Sequence, residues 1–296
     1  MNYDKLHIAL IGNVYQTKKN QYVAHILKKL TSLGVAISIE EMFAEFISKE
    51  LSLNIAHCRR FNRNEPCQAD YVISIGGDGT FLGTAALVGE SHIPILGINT
   101  GRLGFLADVS PENIDTALDA LCCGSFITEE RKVLMVETSG APYGSCPYAL
   151  NEVAVLKHDN SSLIEISTHI NGQFLTTFLA DGLIVCTPTG STGYSLSVGG
   201  PILVPQSGTF CLSPVAPHSL SVRPVVVRDD VEIDLYIRSR SHNFMLALDG
   251  RSESLPEETK ITIRRAPHTI KVIKIEHPNF FETLRDKLMW GADKRE

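Results

Sequence analysis

Apolar residues follow two rhythms along this chain. As far as about residue 125, short apolar runs alternate with stretches whose apolar positions recur at helical spacing. Leu6–Ile11 reads as a strand closed by Gly12-Asn13. Val23, Ile26, Leu27 and Leu30 mark a helix that Gly34 stops. Val35–Ile39 is a second strand, and residues 40–68, mixed and charged, predict no element. Tyr71–Ile75 is a buried strand, followed at helical spacing by Phe81, Leu82, Ala85, Ala86 and Val88. Ile93–Ile98 is another strand. Ser110-Pro111-Glu112 opens a helix, with Ser as cap and Pro at the first position, and Gly124 ends its stripe of Ile114, Ala117, Leu118 and Leu121. Strands alternating with helices predict a parallel α/β domain over residues 1–128, with ligands at the carboxyl ends of the strands.

After about residue 128 the period becomes two. Lys132–Glu137 is a strand. Ile164, Ile166, Thr168 and Ile170 alternate up to Asn171-Gly172, and Phe174, Thr176 and Phe178 continue beyond it, which is a strong hairpin signal. Tyr148–Leu156, Leu183–Cys186, Ser219–Val227, Val231–Ile237, Phe244–Leu248, Lys260–Arg264 and Thr269–Ile275 complete the set. The fold class is thus α/β plus all-β, the second domain being an antiparallel sandwich over 129–276. A helix at Asn279–Leu288, with Phe280, Leu284 and Leu288 on one stripe, makes 277–296 a segment that returns to the first domain.

Composition narrows the class. At 296 residues, 44% apolar and 20% charged, the chain is long enough for full cores. A net charge of −6 argues against a nucleic-acid partner. No apolar run approaches a membrane span, and the N-terminus lacks a signal-peptide pattern, so a cytoplasmic location is expected. Seven cysteines, an odd number without C-x-x-C, suit a reducing compartment rather than a disulfide framework or zinc site.

Two stretches carry chemistry. Gly76-Gly-Asp-Gly-Thr80 joins a strand to a helix. Glycines at 76, 77 and 79 let a ligand approach the backbone, and the helix start offers free N–H groups to an anion. A carboxylate in such a turn suits a metal ligand or a base beside phosphates, or else Asp78 simply caps the helix. The spelling matches neither a P-loop nor a dinucleotide fingerprint. Lys18, Lys19 and Arg102 either meet phosphates or serve the surface. In the β half, Asn151-Glu152 interrupts an apolar strand, where neighbours face opposite sides and one points inward, as a ligand contact or as a strand rim. Asp181 leads through Thr187-Pro-Thr-Gly-Ser-Thr-Gly-Tyr194 to Ser197 and Gly199-Gly200, a loop of hydroxyls and amides suited to a ribose, amide or phosphate, with Tyr194 as a stacking face and a short helix beyond it.

Together these motifs resemble the bacterial NAD kinases. Gly76–Thr80, Asn151-Glu152, Asp181–Tyr194, Gly199–Pro201, Pro217-His-Ser-Leu-Ser-Val-Arg-Pro224 and Leu248-Asp-Gly250 match that family in order, over nearly the whole chain. The resemblance implies ATP-dependent phosphorylation of the adenosine ribose 2′-hydroxyl of NAD, with a divalent metal such as Mg²⁺ on the ATP oxygens. It implies Asp78 as general base, and Gly76, Gly77, Gly79 and Thr80 around the phosphates. Asn151 and Glu152 contact NAD, and Asp181 meets its nicotinamide end or a neighbouring subunit's ligand. Thr192, Gly193, Tyr194 and Ser197 line the adenine and ribose pocket, with Asp249 and Arg251 near the ligand. No residue of the chain is named as a ligand of that metal, and the resemblance implies a homodimer or homotetramer. Two departures stand out. Gly83 occupies a position where some members carry a basic residue, and Gly193 one where many have Ala. The Gly-Gly-Asp-Gly turn is also found in lipid and sugar kinases, and a non-catalytic NAD(P) sensor would share the pocket, so both stand as alternatives.

Overall fold

The computed structural model describes residues 6–14, 20–65, 67–101, 104–140, 143–144, 146–159, 162–275 and 280–289. By their contacts, residues 1–130 with 270–296 form one unit and residues 131–269 another. Lys18, Lys19, Arg102 and Asn279 lie outside the described residues.

The first unit contains β1 (His7–Gly12), α1 (Asn20–Ser32), β2 (Ala36–Glu40), α2 (Glu41–Glu50), β3 (Arg59–Phe61), β4 (Tyr71–Gly76), α3 (Asp78–Val88), β5 (Ile95–Asn99) and α4 (Ile114–Cys123). Its strands run parallel in the order β5-β4-β1-β2-β3. Strands β1, β4 and β5 are almost wholly buried, which is why they read as continuous apolar runs. Helices α1, α2 and α4 send Ile26, Leu30, Phe43, Ile47, Ala117 and Leu118 into the same core.

Two elements fall in the stretch where none was predicted. Helix α2 starts because the Glu40 carboxylate accepts the Phe43 N–H at 2.9 Å, and β3 follows it. Glutamate is an unusual cap, so the start carried no ordinary signal. The Ser110-Pro111 start is realised differently: Pro111–Asn113 forms a 3₁₀ turn without a Ser110 side-chain cap, and α4 begins at Ile114. Gly124 ends it in the left-handed region, φ 69°.

The chain continues through β6 (Ile127–Thr138), β7 (Tyr148–Ala149), β8 (Glu152–Lys157), β9 (Ile164–Ile170), β10 (Gln173–Ala180), β11 (Gly182–Cys186), α5 (Tyr194–Ser197), β12 (Thr209–Val215), β13 (Val225–Arg228), β14 (Ile233–Arg238), β15 (Asn243–Leu248), β16 (Arg251–Pro256) and β17 (Ile261–Lys274). In the second unit β10-β9-β14-β17 is one antiparallel sheet, and β13-β12-β11-β8-β15-β16 the other. Ile166, Leu235 and Ile263 of the first meet Val153, Val185, Phe210 and Leu246 of the second in one core, as a sandwich requires. The Asn171-Gly172 hairpin forms as expected, both residues at positive φ and Gln173 opposite Ile170.

Four strand expectations needed correction. The apolar run at 148–156 is broken into β7 and β8 by a turn at Leu150-Asn151. Of the 219–227 stretch only residues 225–227 are in a strand, β13; Pro224 lacks an N–H, and the Arg223 guanidinium donates to the carbonyls of Leu220 and Val222. β14 starts at Ile233 rather than Val231. The strands expected at 260–264 and 269–275 are merged in one, β17 (Ile261–Lys274), which runs through Pro267. Its start pairs with β14 and its end, Val272, with Ile95 of β5, so the chain re-enters the first unit along this strand. Helix α6 (Phe280–Leu288) follows, with Leu284 buried and Phe281 exposed.

Candidate active site

In the first unit, β4 delivers the glycine turn to the carboxyl edge of the sheet. Gly77 caps α3 and Asp78 is its first residue. The Asp78 carboxylate does not cap its own helix. Its Oδ2 accepts the Phe105 N–H at 2.8 Å, and its Oδ1 accepts those of Leu106 and Ala107, both at 3.1 Å. The helix-cap alternative for Asp78 is therefore excluded. Three amides fix the carboxylate's direction, and Oδ2, with a single partner, keeps spare acceptor capacity.

That loop is held by Asn99, buried at the end of β5. Its side-chain amide donates to the Ala107 carbonyl at 3.2 Å, while its Oδ1 accepts the Gly101 N–H at 2.6 Å. Gly104 is dictated by proximity, since a Cβ there would stand 1.7 Å from Asp78 Oδ1. Gly77, Gly79 and Gly83 are the opposite case: a Cβ on any of them meets nothing within 4 Å. Space is thus left open before the first turn of α3, where the helix's first bonds run from the Thr80 and Phe81 N–H groups to the Gly77 carbonyl and the N–H groups ahead of them precede the ladder. Thr80 packs back on Gly76, where a Cβ would meet its Oγ1 at 2.3 Å.

From the C-terminal side, Lys274 of β17 pairs with Asp108. Lys287 of α6 lies with its Nζ 4.4 Å from the Phe105 ring centroid. That Nζ is buried without a hydrogen-bond partner among the described residues.

The second unit builds its own cluster. Asp249, at positive φ in the Asp-Gly turn between β15 and β16, accepts the N–H groups of Leu150 (2.7 Å), Asn151 (2.8 Å) and Glu152 (3.1 Å). Burial raises its pKa and the three amides hold it back. Thr187 ties the same turn to the next loop, its hydroxyl donating to the Leu150 carbonyl at 2.6 Å and accepting the Gly190 N–H at 3.1 Å. Gly190 is needed because a Cβ would lie 2.1 Å from the Asn151 carbonyl oxygen.

Glu152 and Asn151 do not divide between two faces as a continuous strand would require. Asn151 belongs to the turn, and both side chains converge on Gly193, where a Cβ would stand 3.1 Å from Glu152 Oε2 and 3.3 Å from Asn151 Nδ2. Glu152 Oε2 and Asn151 Oδ1 are buried acceptors without a partner in the described residues. Burial, helped by the charge of Asp249, carries the Glu152 pKa up to about 7, and a bond from the Tyr194 N–H works against this. Buried acceptors left unmatched are costly, and hydroxyl or amide donors on a ligand would satisfy them.

The loop after β11 coils into a 3₁₀ turn, Thr189–Thr192, and then the short α5. Thr192 and Gly193 are half-buried, and Tyr194 and Ser197 are exposed. Asp181 is not brought to this cluster. It precedes β11 while Thr187 follows it, so the strand's length separates them, about 20 Å by rise per residue. Asp181 pairs with Lys157 at 2.7 Å. Arg251 spends its guanidinium on the carbonyls of Cys146 and Tyr148, which gives it a structural task.

A family model for the ATP-NAD kinase N-terminal domain matches residues 9–126, and one for the ATP-NAD kinase C-terminal domain matches residues 150–275. A protein of Bacteroides fragilis named NAD kinase is 53% identical over 290 residues, 98% of this chain and 100% of its own length. The chain belongs to the ATP-NAD kinase family. Another NAD kinase, from Porphyromonas gingivalis, is 45% identical over 97% of this chain and 99% of its own. A solved NAD kinase from Archaeoglobus fulgidus in complex with ATP aligns at TM-score 0.73 and 28% identity, covering 96% of this chain and 99% of that one. Yeast NADH kinase complexed with NADH aligns at TM-score 0.85 over 98% of this chain and 89% of that one, at 22% identity, a likeness of fold. Gly101 and Gly104 after β5 are visible in the sequence of this NAD kinase family member, but nothing there ties Asn99 or residues 105–107 to Asp78.

Proposed function

We propose that this chain is an ATP-dependent NAD kinase, transferring the γ-phosphoryl group of ATP to the 2′-hydroxyl of the adenosine ribose of NAD to give NADP. The observation that carries the reading is Asp78, a carboxylate aimed by three N–H groups at the open end of α3, in a chain of the ATP-NAD kinase family. A ribose hydroxyl is a weak nucleophile, and Oδ2 of Asp78 is the oxygen with capacity to take its proton. Gly76, Gly77, Gly79 and Thr80 receive phosphates at the helix start. Asn151 and Glu152 take the NAD hydroxyls with their unmatched acceptors, beside Thr192, Gly193, Tyr194 and Ser197. Asp181, far along β11 from these, has the nicotinamide end or a neighbouring subunit's ligand as its role. The functional division follows the chain: residues 1–128 for phosphates, 129–276 for NAD, and 277–296 returning to the former.

A divalent ion such as magnesium enters on ATP. Among the described residues no group of three or more His, Cys, Asp or Glu gathers to hold one. When bound, it would be held largely by phosphate oxygens and water, as magnesium favours, and would offset charge on the transferred group. A homodimer or homotetramer is supported by aromatic residues open on the β9-β10-β14 face, Phe174 at 61% and Tyr236 at 46% exposure; light scattering would give the mass. Among the described residues no helix is long and apolar enough to cross a membrane. A cytoplasmic location rests on the cysteine pattern, and fractionation of cells would check it.

The test is NADP formation from NAD, ATP and magnesium, with NADH in a parallel tube. Asp78→Asn is expected to keep NAD binding and lose about 10²–10⁴-fold in kcat. An unchanged kcat would remove Asp78 from the base role.

A further inference from the structure

We propose that Lys287 is the cation of the phosphoryl-donor site, delivered by α6 to the anionic end of ATP beside Asp78. The inference rests on the kinase reading and extends it to a residue no motif marks. Phosphoryl transfer spreads negative charge over the oxygens of the moving group, and enzymes meet it with fixed cations. The turn from Gly76 to Gly83 contains no Lys or Arg, and Gly83 stands where some members of the family carry a basic residue. Among the described lysines of the C-terminal side, Lys274 and Lys287 reach the stretch 105–108 beside Asp78. Lys274 is already matched with Asp108. Lys287 is not matched among the described residues: its Nζ is buried, has no hydrogen-bond partner there and lies over the ring of Phe105, whose own N–H aims Asp78.

The groups that face this ammonium are Asp78 on α3, Asp108 after β5 and Lys274 on β17. Burial lowers its pKa to about 8, while the two carboxylates act the other way. A buried ammonium without a partner is a standing cost that an anionic ligand relieves. The open space before Gly77, Gly79 and Gly83 is where such an anion fits without displacing a side chain. The competing explanation is that Lys287 only seats α6 on Phe105 through its stem and a cation–π contact.

The test uses the full chain with Lys287→Met, which keeps the stem, and Lys287→Arg, which keeps the charge. ATP binding is measured by calorimetry without NAD, and steady-state KM values for ATP and NAD are measured separately. The Met variant is expected to bind ATP about tenfold or more weakly, the Arg variant to recover most of this, and the KM for NAD to change by less than about twofold in both. The wild type's kcat/KM for ATP is expected to fall as pH rises through about 8, and that of Lys287→Arg to hold there. ATP binding that Lys287→Met leaves unchanged, with only a lowered Tm, would show a packing residue and overturn the inference. Failure of the wild type to make NADP would overturn the kinase reading alone, because the ATP calorimetry decides the role of Lys287 without turnover.

Discussion

Glu152 shows how a single side chain couples binding to pH. Its carboxyl holds its proton up to about 7 in the folded chain, through burial first and the Asp249 charge second. An unfolded glutamate releases its proton near pH 4.3. Between those values the folded state binds more protons, so this group's contribution to stability falls as pH rises and is fully lost above about pH 7. Glu152→Gln cannot ionise. Its stability relative to the wild type is therefore expected to rise by about 3 kcal/mol between about pH 4 and about pH 8, read from urea midpoints of both proteins. The variant should also raise the KM for NAD, since it exchanges an acceptor for a donor at Oε2 or its neighbour. A stability difference that stays flat with pH would show that Glu152 titrates normally. At this scale the residue types were legible and their geometry was not. Asn151, Glu152 and Asp78 stand out in the sequence because polar residues interrupt apolar runs. Nothing in their neighbours reveals that Asp78 is aimed by amides from residues 105–107, or that Arg251 serves backbone carbonyls.

At the scale of elements, both clusters use one device: a carboxylate that gathers three consecutive backbone N–H groups from a distant turn. Asp78 gathers residues 105–107 and Asp249 gathers residues 150–152. A turn fixed in this way points its neighbouring side chains without relying on its own sequence, which is how Asn151 and Glu152 come to face Gly193. Asp249→Ala leaves three donors without an acceptor and is expected to cost about 3–5 kcal/mol in urea denaturation, and to raise the KM for NAD through the displaced turn. A stability loss without any change in that KM would mean the turn does not position the NAD contacts. The elements legible beforehand were those with one clean period and ordinary punctuation, such as β1, β4, α1 and the β9-β10 hairpin. Those missed lacked it. β12 is buried along most of its length and carries Cys, Ser and Pro, while β16 opens with four polar residues, Arg251–Ser254, and pairs with β15. β17 was divided in two because Pro267 reads as a break.

Across the whole molecule, a chain of net charge −6 has to hold two anionic substrates, so attraction must come from local devices rather than overall charge. The N-terminus of α3 is one such device and the C-terminal lysines are another. The chain path makes the second dependent on a late segment: residues 131–269 form one unit, and beyond it the end of β17 sets Val272 beside Ile95 and Lys274 by Asp108, while α6 sets Lys287 by Phe105. The first unit is thus built from two pieces of sequence, and the second from one. Deleting residues 270–296 removes an edge strand and both lysines from the first unit while leaving 131–269 intact. Calorimetry of the truncated chain is expected to show a first-unit transition about 10 °C or more below the wild type's, unresponsive to ATP, beside a transition that survives near its original temperature. The survival follows because the apolar core of the second unit is drawn from residues 134–263 alone. A truncated chain that melts in one step at the wild-type temperature and still responds to ATP would show that the returning segment contributes nothing to the first unit, and with it would fall the role assigned to α6.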